Sequence, residues 1–395
     1  MRVPITKPYF GEEEKKAVND VLESGWLVQG PRVAEFERMF CQYTGAKFAK
    51  ASTSCTSALH LALIALGVGP GDEVLLPSFT HIASANAITY TGAKPIFIDI
   101  DLKTFNIDAD RVEQYLEEAK KQDSRVKGIM PIDLFGLCAD LERMTAPAKE
   151  YHLFVVEDAA CALGSLCGSK HAGTFGEAGC FSFHPRKPIT TGEGGMLITN
   201  DSEIASKVQS LRDHGAAVSD LARHEKGGFL LPAFDILGYN YRMTDIQGAI
   251  GVEQMKKFPW IVNRRIEKAK RYDTELRDVK WLQTPYVPEG YKHTYQSYVT
   301  LVWDPKFKQL TFDVIQDLNQ FRNKVMAKLE DKGIATRQGT HAVHTLNYYK
   351  RKYDMKDGDY LNSLAADKLS ITLPLYPQMT DEEQEYVIEQ IKSLR

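Results

Sequence analysis

Lys187 stands in the stretch 179–195, GCFSFHPRKPITTGEGG, between an aromatic run (Phe181, Ser182, Phe183) and a loop holding Thr190, Thr191, Gly192, Gly194 and Gly195. Pro188 disfavours helical geometry at the residue before it, so the lysine is expected on extended or turning backbone. Held that way, a lysine can point into a cleft, where its amine suits a Schiff base with an aldehyde cofactor such as pyridoxal phosphate. Most lysines lie on solvated surface. What argues otherwise here is the company this one keeps.

Two partners for such chemistry lie upstream. The stretch 51–67, ASTSCTSALHLALIALG, runs small, mostly hydroxylated residues (52–57) straight into an apolar helix. The first turn of a helix offers unpaired N–H groups and the positive end of a dipole, which favour a phosphate; the same residues serve equally as a plain cap. Asp158 ends the apolar strand 153–156 and its acidic tail, 29 residues before Lys187 (187 − 158). A carboxylate there can pair with a protonated ring nitrogen, or cap the segment that follows.

The elements that would position these groups alternate. Strands are expected at 72–77, 95–101, 126–131 and 153–156, with helices at 12–24, 33–43, 82–91, 144–151 and 204–212 between them. This order points to a mostly parallel α/β sheet whose ligands gather at strand ends. Trp26 is expected in the core. The segment 218–231 reads as a polar excursion, and helices follow at 244–258 and 261–276. Gly248, Ala249 and Gly251 suit close packing, and Arg264, Arg265, Lys268, Lys270 and Arg271 read as a solvated face. From Trp281 the pattern becomes α+β, closing on an amphipathic helix at 380–394.

Composition bounds the function. The 395 residues are 43% hydrophobic and 26% charged, with net charge −3, giving no general attraction to nucleic acid or an anionic membrane. Six cysteines show no C-x-x-C pair and no metal-ligand spacing. No apolar run reaches the ~20 residues that span a bilayer, and no signal peptide is read at the start, so a cytoplasmic protein with reduced thiols is expected.

Beyond these residue-level readings, the chain resembles the nucleotide-sugar aminotransferases often called the DegT family, fold-type-I pyridoxal-phosphate enzymes. The resemblance runs nearly end to end, through SGWLVQGP (24–31), LALIALGVGPGDEVLLPSFTHIASANAI (61–88), VVEDAA (155–160), FSFHPRKPITTGEGGM (181–196), GYNYRMTDIQGAIG (238–251) and LPLYPQMT (373–380). It implies an α/β fold with a large, mostly parallel sheet sandwiched by helices in a cofactor-binding domain (1–250) and a smaller C-terminal α+β domain (251–395). Lys187 matches the Schiff-base lysine and Asp158 the carboxylate on the pyridine nitrogen. Cys55, Thr56 and Ser57 match the phosphate turn, with Ser182 as a further phosphate ligand. Asn240 matches the asparagine that reaches the phosphate of the partner subunit's cofactor, implying a homodimer with shared sites. His81 falls where the family stacks an aromatic ring on the cofactor.

Three positions depart from the family pattern. Cys55 replaces a common glycine, Cys161 replaces a glutamine that bonds the cofactor's phenolic oxygen, and His81 brings a titratable ring. A dehydratase branch carries histidine in place of the lysine, so Lys187 favours transamination. The resemblance implies an aminotransferase that moves an amino group from L-glutamate to an NDP-linked keto-deoxyhexose, 4-keto-6-deoxy being the commonest substrate, in polysaccharide or glycoconjugate biosynthesis. Arg337 and His341, near the C-terminal loop, are candidates for the nucleotide diphosphate. A keto-cyclitol aminotransferase and a non-catalytic cofactor-binding regulator are the alternatives.

Overall fold

The computed structural model describes residues 1–120, 125–217 and 232–394. The excursion expected at 218–231 lies outside the described residues. Its main sheet is built from apolar runs such as EVLLP (Glu73–Pro77) and GMLIT (Gly195–Thr199), which are buried on both faces and so need no alternation. Seven strands lie in the order Phe48–Ser52, Gly195–Thr199, Ala178–Ser182, Phe154–Asp158, Val126–Ile129, Glu73–Pro77, Lys94–Ile98. The last five are mutually parallel, and Gly195–Thr199 runs antiparallel to both its neighbours. Two of these strands, FAKAS and AGCFS, carry no strong strand signal in their small residues; pairing and burial make them strands.

The C-terminal part forms a three-stranded antiparallel sheet, Leu282–Gln283, Tyr298–Val302 and Ser370–Leu373, covered by the helices Phe312–Asp331 and Leu361–Leu369. A separate two-stranded pairing of His341–Ala342 with Phe79–Thr80 docks it just beyond the end of the main-sheet strand Glu73–Pro77. One helix of 31 residues, Asp245–Glu275, joins the two regions and runs through position 250. The segments expected as separate helices are continuous across Pro259, because proline removes one hydrogen bond while packing holds both sides. Thr244 and Gln247 close a capping box at its start. Close approach explains its small residues: a Cβ on Gly248 would stand 2.7 Å from the Val33 nitrogen, and one on Gly251 2.7 Å from the Phe36 ring.

Two expectations need correction. Trp26 is half-buried rather than in the core, on a segment whose Leu27 and Val28 are exposed. The charge run of the long helix is not a uniformly solvated face, since Arg265 and Lys268 are buried. The Lys268 ammonium reaches Asp381 at 2.5 Å. One Arg265 nitrogen, Nη1, donates to the carbonyls of Tyr295, Gln296 and Leu375, each at 3.2 Å, and so ties the long helix to the C-terminal sheet region. Burial lowers the Arg265 guanidinium to about 10, still well above neutrality. Arg265→Met leaves those three carbonyls without this donor, which is expected to cost about 3 kcal/mol. A urea unfolding midpoint unchanged from wild type would contradict this.

Candidate active site

Three strand ends meet where the register aligns Ser52 with Gly195 and Gly195 with Ser182. The helix Cys55–Ala65 starts immediately beyond, so the hydroxyl-rich turn and Ser182 lie at one end of the sheet. A Cβ on Gly195 would stand 2.3 Å from the carbonyl of Ser54 and 2.5 Å from the Cys55 nitrogen, so only glycine lets this backbone pass so close. Ser54 caps the helix: its hydroxyl accepts from the Ser57 N–H at 3.1 Å, and the Ser57 hydroxyl accepts from the Ser54 N–H at 3.0 Å. The N–H groups of Cys55 and Thr56 have no acceptor among the described residues. They are the unpaired first-turn donors at the positive end of the helix that an anion takes.

A buried ion pair holds this turn from behind. Arg212 donates to the Ala51 carbonyl at 2.5 Å and to Glu37 at 2.6 Å, while Glu37 accepts from the Ala51 N–H at 2.8 Å. The Thr53 N–H donates to the Tyr241 carbonyl at 2.9 Å, so the segment around Asn240 lies beside the turn. Asn240 itself is exposed, bridged to Asp213.

Alternation at the end of Phe154–Asp158 sends its two carboxylates to opposite faces. Glu157 accepts the N–H groups of Gly173, Phe175 and Gly176 in the fold interior, where burial pushes it up to about 7. Asp158 faces the cleft: one oxygen accepts from the Ser84 hydroxyl at 2.7 Å, the other from the Ala160 N–H at 3.2 Å and the Cys55 thiol at 3.9 Å. Burial first, then the charge of Asp158, pushes the Cys55 thiol well up, which keeps it a neutral donor.

Lys187 lies in a turn, its N–H donating to the His184 carbonyl at 2.8 Å. The loop after it is pinned to one carbonyl, that of Phe183, which accepts from the Thr190 hydroxyl at 2.7 Å and the Thr191 N–H at 3.1 Å. This anchoring turns the lysine inward, and its Nζ meets the Cys161 sulfur at 3.0 Å. Burial works to lower the ammonium; Cys161, with Cys55 and Asp158 beyond, outweighs it, and the net shift is upward. His81 caps the helix Ile82–Tyr90 through its Nδ1 at the open mouth of the cleft. The protein around it, and then the Lys187 charge, lower its pKa.

The structure thus gathers Cys55, Thr56, Ser57, Asp158, Cys161, Ser182 and Lys187 at one end of the sheet, with His81 at the rim. His341 joins the rim because it pairs with Thr80. Arg337 lines a narrow cavity of about 20 Å³ with Arg186, Gln296 and Ser297, and Gln296 donates to the Arg186 carbonyl at 2.8 Å. Sequence reasoning missed Ser84, Arg186 and Gln296. Ser84 was findable, being a hydroxyl in the first turn of a helix that follows a strand end.

The model of the DegT/DnrJ/EryC1/StrS aminotransferase family matches residues 8–392. The chain belongs to this family. It is 37% identical over 393 residues to the spore coat polysaccharide biosynthesis protein SpsC of Bacillus subtilis, covering 99% of this chain and 97% of that one. It is 35% identical over 392 residues to GDP-perosamine synthase of Escherichia coli O157:H7, covering 98% and 97%. Among solved structures it resembles Helicobacter pylori PseC, an aminotransferase involved in pseudoaminic acid biosynthesis, with a TM-score of 0.88 and 27% identity over 100% and 99% of the two chains. This DegT-family chain is a pyridoxal-phosphate-dependent sugar aminotransferase with the mixed, mostly parallel α/β fold that its sequence implied. Among the described residues, no helix is long and apolar enough to cross a membrane.

The residues present fit the cofactor: two free N–H groups at a helix start, a carboxylate held by a hydroxyl, and an inward-turned amine. Ser84→Ala removes the shortest hydrogen bond to Asp158, and a bond to a charged group is worth about 1.5–3 kcal/mol. Spectral titration of the apoprotein with pyridoxal phosphate is expected to show affinity about tenfold weaker, restored by Ser84→Thr. Undiminished affinity in the alanine variant would show that Asp158 does not need this hydroxyl.

Proposed function

We propose that this enzyme transfers an amino group from L-glutamate to the keto carbon of an NDP-linked 4-keto-6-deoxyhexose, as a homodimer with shared sites. The observation that carries the reading is the inward-turned Lys187 amine, enclosed with Asp158 beside an unpaired helix start. The functions in the names of the two relatives, polysaccharide biosynthesis and perosamine synthesis, support a sugar nucleotide as acceptor.

The roles follow from position. The N–H groups of Cys55 and Thr56 hold the cofactor phosphate, with the Ser182 hydroxyl across the strand junction; the Ser57 hydroxyl, engaged with Ser54, keeps the turn in shape. Asp158 keeps a proton on the ring nitrogen. Pyridoxal phosphate bound there supplies an electron sink for negative charge at the donor's α-carbon. With the cofactor held there, the Lys187 amine would stand where it can take the proton from the donor's α-carbon and give it back, as base and then acid. Cys161, in contact with the lysine, holds the amine on the side facing Asp158. His81 covers the outer face of the site.

Arg337 and His341 contact the diphosphate of the acceptor from the C-terminal region, and Arg186 adds charge beside the lysine. Support for the homodimer comes from exposed Asn240 and from exposed Leu27, Val28 and Leu237, apolar side chains that a second subunit would cover.

Two measurements test the reading. Adding L-glutamate to the purified holoenzyme, with no sugar present, is expected to replace the visible cofactor band with that of pyridoxamine phosphate. A panel of keto-sugar nucleotides and a keto-cyclitol then identifies the acceptor. Lys187→Ala is expected to lower turnover by at least about a thousandfold, within the range of general acid–base catalysis. Near-normal activity in that variant would remove the lysine from its role, and a band unmoved by glutamate would rule out that donor.

A further inference from the structure

Arg322, on the helix Phe312–Asp331, is 6% exposed, yet its guanidinium has almost no protein partner. Nη1 meets only the Met326 sulfur, at 3.4 Å, and Nε is enclosed without an acceptor. Nη2 has no acceptor among the described residues. Burial lowers the guanidinium's pKa and the charge of Asp367 partly offsets this. The Asp367 oxygens are already engaged, one with the Ala342 N–H at 2.9 Å and the other with Lys368 at 3.3 Å. A buried cation left without hydrogen-bonded anions is costly, and an anion that paired with it would remove part of that cost.

The space beside Arg322 is built to receive one. A groove of about 650 Å³ runs between one face of the helix (Arg322, Asn323, Met326, Ala327, Glu330) and the segment 333–338, with Arg2 at its N-terminal edge. That volume is in the range of small-molecule sites. Arginine forks match phosphate oxygens, and Arg322 with Arg2 places two at one groove. Met326 and Ala327 add an apolar wall, while Asn323, Thr336 and Gln338 add hydrogen-bonding groups. Glu330 is the acidic residue of the lining; it is exposed, at the outer end of the helix face.

The groove is separate from the Lys187 cleft. Thr336 and Gln338 line it, whereas Arg337 between them lines the cavity beside Arg186 on the other side of the segment. Gln338 also connects the two, because its amide lies 3.1 Å from Nδ1 of His341 at the cleft rim.

From this geometry we infer a second anion site, centred on Arg322, for a diphosphate-bearing ligand of nucleotide size, coupled to the cleft rim through Gln338. The inference does not depend on which sugar the enzyme aminates. Calorimetric titration of the holoenzyme with inorganic pyrophosphate and, separately, with GDP tests it. Two classes of site are expected in wild type, one at the cleft; the other is weakened about tenfold or more in Arg322→Met and several-fold in Asn323→Ala, and survives in Arg337→Met. Asn323 is exposed, so its variant keeps the test open should Arg322→Met fail to fold. Equal affinity for both probes assigns recognition to the diphosphate alone; tighter binding of GDP places the nucleoside on the apolar wall. Absence of binding, affinity unchanged in both groove variants, or loss only in Arg337→Met overturns the site.

Discussion

The close passage of backbone at Gly195 is the constraint on which the site depends. One antiparallel strand lies between Phe48–Ser52 and Ala178–Ser182, and its first residue touches the start of the helix Cys55–Ala65. The register therefore ties together two distant parts of the chain, the hydroxyl-rich turn and the strand that leads into the lysine loop. A side chain at that position would force them apart.

Around that junction the cleft is assembled by charge balance. Asp158 is held by Ser84 and by the thiol of Cys55, which stays neutral because it is buried beside a negative charge. Lys187 is drawn toward the same acid and toward Cys161. Cys55 and Cys161 are thus both in contact with these ionic groups. Their small size and weak hydrogen bonding leave the carboxylate and amine available to a cofactor.

The C-terminal region completes the rim through contacts that span most of the chain. The pairing of His341 with Thr80 brings a C-terminal histidine beside His81, and the buried Ser78 hydroxyl meets His344 at 2.6 Å behind it. The segment 333–339 then has two roles: one side carries Arg337 toward the cleft, and the other borders the Arg322 groove. A ligand in that groove would act on the rim through Gln338 rather than through a distant network.

Much of the candidate site's arrangement was legible from the sequence because its signals are local. Pro188 after Lys187 keeps the lysine off a helix, hydroxyl residues before an apolar run mark a helix start, and an acid after an apolar strand marks a strand end; each needs only a few neighbouring residues. The family resemblance, carried by motifs of this kind, extended that reading to the fold and cofactor. Tertiary structure alone decided the rest. The small-residue strands Phe48–Ser52 and Ala178–Ser182 form because the sheet pairs and buries them, and the Arg212–Glu37 pair that supports the turn joins residues far apart in the chain. Arg265 and Lys268 read as solvated charges but are buried, since periodicity locates a helix face without revealing what packs on it. The unpartnered state of Arg322 is likewise invisible in sequence, because it depends on which carboxylates the fold has already engaged elsewhere.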